Sequence, residues 1–424
     1  MEGWQRWLGL GAGLGVIYAL VPKTIEQQQQ AEPAPAPAPV PALERLSQAP
    51  APSPEPPAEP DFSGLDLLHL DLQGDRVTSP LSHGRSAELT LDPRLQRETL
   101  NVMKRYTLPE AGAVLMDTRT GNLLVYASQV REGEPFDVNV RAEAPAASVF
   151  KIVTAASLLQ TPSLNAQTEQ CYRGGGQSRI NAADLREDAN RDHVCATMTE
   201  ALGRSLNIVF ARLAQHYLTP RALHETASAF GFGAATPFDV PSEAPSIELP
   251  SDPLEFARAA AGFWHTTLSP LGAVSIAQTV ASGGVALRPR IVRAVYSGDR
   301  AEWQASSEPV RLRRVVPEAR AHELNKMMRE TVASGSASKS FRGPGGRPYL
   351  GEVHVAGKTG TLTRNEQNRF YTWFVGFAPA ERPEVAVAAL VVNTPIWRMK
   401  APQLARDVLR AYFAERGEAG VSAP

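Results

Sequence analysis

Ser148-Val149-Phe150-Lys151 is followed by the apolar run Ile152-Val153-Thr154-Ala155-Ala156, which predicts a helix beginning at the serine and extending to Leu159. At a spacing of three, Ser148 and Lys151 share one helix face and can meet. A lysine acts as a base only when neutral, and desolvation beside an apolar helix disfavours its charged form. The helix N-terminus adds positive potential where an oxyanion would form. The pair therefore has the makings of a serine nucleophile and its base. Taken alone, the same four residues also describe a capping serine followed by a solvated lysine.

Two further groups could complete such a site. In Gly203-Arg204-Ser205-Leu206-Asn207 a helical stretch is interrupted, and Ser205 and Asn207 alternate around Leu206 so that both polar ends can face one cleft. Alone, this is a helix break capped by serine. Lys358-Thr359-Gly360-Thr361 stands at the end of a predicted strand, 352–358. A cation, two hydroxyls and a residue without a side chain suit an extended peptide ending in a carboxylate, because glycine lets that backbone approach. A backbone N–H there could complete an oxyanion hole with that of Ser148. A nucleotide-binding loop is excluded: it needs glycine five positions before Gly357-Lys358, where Glu352 stands.

Positioning these groups requires a mixed architecture. Asp92-Pro93 starts a helix striped by Leu95, Leu100 and Met103, and the runs 112–117 and 122–127 form a hairpin across Thr118-Arg119-Thr120-Gly121. The middle is helical over 148–159, 197–217 with a break near Ser205, and 220–230. A buried, nearly all-apolar helix runs from Ser269-Pro270 to before Gly283. Strands return at 352–358, 369–378 and 384–393, and a last helix covers about 402–414. Strands at both ends with helices between imply an α+β (α/β) sandwich: an antiparallel sheet of about five strands, helices on both faces, its hairpins joined from opposite ends of the chain.

The N-terminal part has a different composition. Arg6 precedes an uncharged stretch from Trp7 to Val21 without a clear cleavage pattern, so 1–21 is expected to be a short cytoplasmic stub and an uncleaved signal anchor. Residues 22–60, rich in Pro, Ala, Gln and Glu, cannot bury a core and form an extracytoplasmic linker, 61–87 a short strand-rich lead-in, and 88–424 one domain. An even cysteine count in an exported chain suggests a bridge between Cys171 and Cys195, with two free buried thiols as the alternative. No His or Cys has metal-ligand spacing. Over 424 residues the formal net charge is -1 and no basic run could track phosphates, which excludes nucleic acid as a partner.

SxxK, SxN and KTG in this order are the set found in penicillin-binding proteins and serine β-lactamases. From Leu89 to Asn393 the chain resembles that superfamily, also through Leu89-Thr90-Leu91-Asp92-Pro93-Arg94-Leu95-Gln96, through 112–121, and through Trp373-Phe374-Val375-Gly376-Phe377-Ala378-Pro379. The resemblance implies the penicillin-binding transpeptidase fold. It carries roles onto Ser148 (nucleophile), Lys151 (base), and Ser205 and Asn207 (proton relay and substrate amide). Lys358, Thr359 and Thr361 would hold the substrate carboxylate, with the Thr361 N–H in the oxyanion hole, and Gly360 keeps the strand open to the peptide. One departure stands out: the family usually has glycine directly before the nucleophile, and this chain has Ala147. On this length the chain is expected to lack the glycosyltransferase and large pedestal domains of many members.

The resemblance implies a membrane-anchored D,D-transpeptidase of the bacterial cytoplasmic membrane, facing the periplasm or exterior. It would crosslink peptidoglycan stem peptides through an acyl-Ser148 intermediate, need no cofactor, be inhibited covalently by β-lactams, and work beside wall-synthesis or division proteins. Water in place of the acceptor amine would make it a D,D-carboxypeptidase or a β-lactamase. The Glu-x-x-Leu-Asn element of class A β-lactamases is missing, because Ala321 precedes Leu324-Asn325 where glutamate is required. A non-catalytic scaffold or β-lactam sensor is the remaining alternative.

Overall fold

The computed structural model describes residues 59–72, 74–174, 179–364 and 367–417. The expected anchor, 1–21, and all but the end of the expected linker, 22–60, lie outside them. Among the described residues no helix is long and apolar enough to cross a membrane.

Within the lead-in, β1 (Thr78–Pro80) pairs with β2 (Arg85–Leu89). In α1 (Pro93–Arg105), Asp92 accepts a hydrogen bond from the Leu95 amide and Pro93 fills a position whose N–H would have no helical partner. β3 (Glu110–Asp117) and β4 (Leu123–Val130) form a hairpin whose turn closes as Asp117 Oδ1 accepts from the Arg119 and Thr120 amides. β5 (Ala144–Pro145), a 3-10 turn at Ala147–Phe150 and α2 (Lys151–Leu158) follow. β6 (Glu169–Tyr172) and β7 (Val194–Thr197) make a two-stranded ribbon in which Cys171 and Cys195 lie opposite each other and are disulfide-bonded.

Four helices come next: α3 (Met198–Arg204), α4 (Asn207–Tyr217), α5 (Pro220–Ala229) and α6 (Pro253–Ala260). β8 (Thr267–Leu268) returns to pair with β5 and leads into α7 (Pro270–Ala281). β9 (Val285–Leu287) pairs with β12 (Arg311–Arg314), while β10 (Val292–Ser297) and β11 (Arg300–Gln304) extend the β1–β2 sheet. The last elements are α8 (Glu318–Ala333), α9 (Ser338–Phe341), β13 (Ala356–Arg364), β14 (Arg369–Ala378), β15 (Val385–Asn393) and α10 (Ala401–Glu415).

The central sheet is antiparallel in the order β13-β14-β15-β3-β4, so the two hairpins from opposite ends of the chain meet at β15–β3. Every residue of β15 and nearly all of β14 are buried, as sheet strands covered on both faces must be. α7 covers one face; α1 and α10 cover the other. The near-total burial of α7 accounts for its apolar sequence. Among the described residues β13 is an edge strand, and one side of its backbone has no strand partner there.

Two boundaries at the motif-bearing elements differ from the sequence expectation. The KTG strand spans Ala356–Arg364, not 352–358, so the motif lies inside the strand; Thr361, Leu362 and Thr363 are β-formers that continue the pairing through Arg364↔Arg369. The first turn after Ala147 is 3-10, and α-helical geometry begins only at Lys151.

Candidate active site

The 3-10 turn decides how Ser148 and Lys151 meet. With three residues per turn, positions i and i+3 eclipse, and Lys151 Nζ lies 2.8 Å from Ser148 Oγ. The turn is entered through Ala147, whose φ of 49° lies in the left-handed region that glycine adopts freely and alanine only with strain. That geometry explains why glycine suits this position. Ala147 holds it under constraint from three sides. The Ala146 amide donates to Thr266 O, Trp373 Nε1 donates to Pro145 O, and strand β13 passes so close that a Cβ on Gly360 would be 3.3 Å from the Ala147 Cβ.

Lys151 is fully buried, and no carboxylate is bonded to it among the described residues. Its Nζ donates to Asn207 Oδ1 at 2.6 Å and to Ala261 O at 2.5 Å. A neutral amine has two N–H bonds and one lone pair; with both N–H groups engaged, the lone pair is left for the Ser148 hydroxyl. Burial, and after it the Lys358 charge, hold this lysine well below its usual range. The Ala261 acceptor belongs to the end of α6, whose last carbonyls have no helical partner; Lys151 takes that of Ala261 and Thr154 Oγ1 that of Ala260 at 2.8 Å. Gly262, at φ 81°, then turns beneath the Ala147–Ser148 peptide, where a Cβ would stand 2.4 Å from Ala147 O.

Ser205 and Asn207 occupy the break between α3 and α4. Ser205 is the left-handed residue that ends α3 (φ 59°, ψ 44°), and Asn207 opens α4. Each is joined to a different lysine, Asn207 to Lys151 and Ser205 to Lys358, whose Nζ donates to Ser205 Oγ and to Thr359 O, both at 2.9 Å. Lys358 is also fully buried, and desolvation lowers it to about 7. Thr359 Oγ1 lies 2.6 Å from Ser336 Oγ, Gly360 is buried against Ala147 and Trp373, and Thr361 is exposed. Asn207 and Thr361 open onto a cavity of ≈ 640 Å³ whose wall includes Glu255, Arg258 and Trp264. The eight sequence-selected residues are brought together where β13, the α3–α4 break and the start of α2 meet, with Asn207 and Thr361 on the cavity wall and Lys151, Lys358 and Gly360 buried behind it.

Several contributors had no motif to reveal them. The α6 carbonyls act through backbone, which carries no residue signature, although Asp252-Pro253 starts α6 by the same capping pattern as Asp92-Pro93. Ser336 lies in the polar run after α8 and is met only through folding. Ala321 is buried in α8, and Asn325 Nδ2 donates to Ala380 O at 2.7 Å, so this near match to the β-lactamase element is engaged in packing. Among the described residues no cluster of His, Cys, Asp and Glu could hold a metal ion.

Comparison with known proteins bears on the fold and the family. The family model described as "Penicillin binding protein transpeptidase domain" matches residues 111–412. Stage V sporulation protein D of Bacillus subtilis (strain 168) is 26% identical over 345 residues, covering 76% of this chain and 51% of its own length. Peptidoglycan D,D-transpeptidase PbpA of Mycobacterium tuberculosis (strain ATCC 25618 / H37Rv) is 26% identical over 360 residues, covering 75% and 70%. The chain thus spans about half the length of the first of these relatives. The structure of penicillin-binding protein A from M. tuberculosis as its penicillin G acyl-enzyme superposes with a TM-score of 0.60 at 22% identity, covering 78% of this chain and 80% of that one.

Proposed function

The chain belongs to the penicillin-binding protein transpeptidase family, and on that premise we propose that it is a serine D,D-transpeptidase that crosslinks peptidoglycan stem peptides through an acyl-Ser148 intermediate. The observation that carries this reading is the Lys151 amine, fully buried, with both N–H groups engaged and its lone pair left for the Ser148 hydroxyl 2.8 Å away. Lys151 takes the hydroxyl proton as Ser148 Oγ attacks the carbonyl of the penultimate D-alanine. The oxyanion is met by the N–H groups of Ser148 and Thr361. The proton passes through Ser205 to the departing D-alanine nitrogen, and the C–N bond breaks. An amine from a neighbouring strand then attacks the ester carbonyl; Lys151 takes the amine proton and returns it to Ser148 Oγ as the C–O bond breaks, which frees Ser148 and forms the crosslink.

Lys358, Thr359 and Thr361 receive the terminal carboxylate, Asn207 the substrate amide, and the edge of β13 the extended peptide, while Gly360 lets β13 pass close to Ala147 and Trp373. A bound carboxylate favours the charged form of Lys358, which burial alone brings to about 7. β-Lactams present a strained amide to the same serine and acylate it. The reading extends to the N-terminal part: 1–21 as membrane anchor, 22–60 as linker, 61–87 as lead-in, and the catalytic domain, 88–424, outside the cytoplasmic membrane.

The test is labelling of the protein with a fluorescent penicillin, with Ser148→Ala as control, followed over hours. A lasting adduct that needs Ser148 is expected. No adduct would end the acyl-transfer reading, and loss of label within minutes would replace the transpeptidase with a hydrolase.

A further inference from the structure

The turn that follows α8 touches both wings of the cleft. Gly335 lies so close to the α3–α4 break that a Cβ would stand 2.2 Å from Gly203 O, and the Ser336 amide donates to that same carbonyl at 2.9 Å. The flanking amides of Gly335 and Ala337 donate to Glu330 O and Thr331 O, and Ala337 is fully buried. Ser336 therefore has a fixed backbone, two residues from the SxN serine in contact terms, while its hydroxyl reaches the opposite wing and lies 2.6 Å from Thr359 Oγ1.

We propose that Ser336 is a positioning residue for the substrate carboxylate: it donates its hydroxyl proton to Thr359 Oγ1 and so turns the Thr359 proton outward to the ligand. The inference rests on the acyl-transfer reading above. A hydroxyl has one proton and two lone pairs. If Thr359 gave its proton to Ser336, it would present only lone pairs to a carboxylate and repel it. With Ser336 as donor, the chain Ser336 O–H to Thr359 O–H to carboxylate runs in one direction, and each bond polarises the next. Ser336 is exposed and can accept from water, so nothing at its own oxygen opposes this direction. The same turn is fixed to Gly203, two residues before Ser205, so one element touches the Thr359 wing through its side chain and the α3–α4 wing through its backbone.

The role predicts an effect that depends on the ligand's charge. The second-order acylation rate constant is measured for benzylpenicillin and for its methyl ester, which keeps the ring and lacks the anion. Ser336→Ala should narrow the acid-to-ester ratio about tenfold, the scale of a hydrogen bond to a charged group, while Ser336→Thr, which keeps the hydroxyl, preserves it. Because the ratio is taken within one protein sample, partial misfolding cancels. A ratio unchanged in Ser336→Ala, or one that collapses equally in Ser336→Thr, overturns the assignment and leaves the acyl-transfer reading standing. Wild-type protein acylated by neither compound overturns both.

Discussion

Two buried lysines with no carboxylate bonded to either among the described residues are the main electrostatic cost of this cleft, and their protonation sets its pH behaviour. The proposed acyl transfer uses Lys151 neutral and Lys358 charged. Lys151 is held well below the usual lysine range, and Lys358 titrates near 7. The rate of acylation by a penicillin should therefore rise as Lys151 deprotonates and fall again above about 7 as free Lys358 loses its proton. The alkaline fall should vanish with a penicillin ester, which makes no demand on Lys358; a fall that persists with the ester would assign it to another group. The same numbers bear on stability. Lys358 releases its proton near 7 when folded and near about 10.4 when unfolded. Between those values the unfolded chain holds more protons, so this group's contribution to stability rises with pH across that window and is least favourable below about 7. Lys358→Met should abolish labelling yet raise stability by about 2 kcal/mol at pH 7 or below. Calorimetry across pH should show that gain shrinking toward pH 10.

At the scale of elements, Ser148 is positioned by a strained turn resting on the end of a helix. Ala147 is left-handed above Gly262, which is itself left-handed beneath the Ala147 carbonyl. Ala147→Gly should relieve backbone strain and stabilise the protein by up to about 1 kcal/mol without loss of penicillin labelling. Gly262→Ala should destabilise by about 2 kcal/mol or more and slow labelling, because both the left-handed φ and the 2.4 Å approach to Ala147 O oppose a side chain. Thermal melting and labelling kinetics on the two variants check both statements. This is also the scale at which the sequence is least informative. Ser148 and Lys151 are legible because side-chain chemistry at a fixed spacing leaves a pattern. The left-handed Ala147, the 3-10 turn and the carbonyls of Ala260 and Ala261 leave none. The end of β13 is not marked in the sequence because the threonines after Gly360 are polar in composition and strand-forming in propensity.

For the whole molecule, most of the architecture was legible from alternation of pattern: hairpin strands at both ends, helices between, and an apolar α7 that had to be buried between layers. The pairing of β15 with β3 brings residues 385–392 beside 110–117. It follows from the need to cover two hydrophobic hairpins at once, whereas the sheet of β1, β2, β10 and β11 joins the lead-in to a distant segment that shares no motif with it. The cleft forms where three separated segments converge, 148–151, 205–207 and 358–361, so its function depends on the assembled fold. The most direct test of that function supplies uncrosslinked peptidoglycan strands carrying pentapeptide stems and resolves the products by mass spectrometry. Released D-alanine together with crosslinked stem dimers, both absent with Ser148→Ala, is the predicted result. Tetrapeptide without any dimer, or the same dimers from the Ser148→Ala protein, would contradict it.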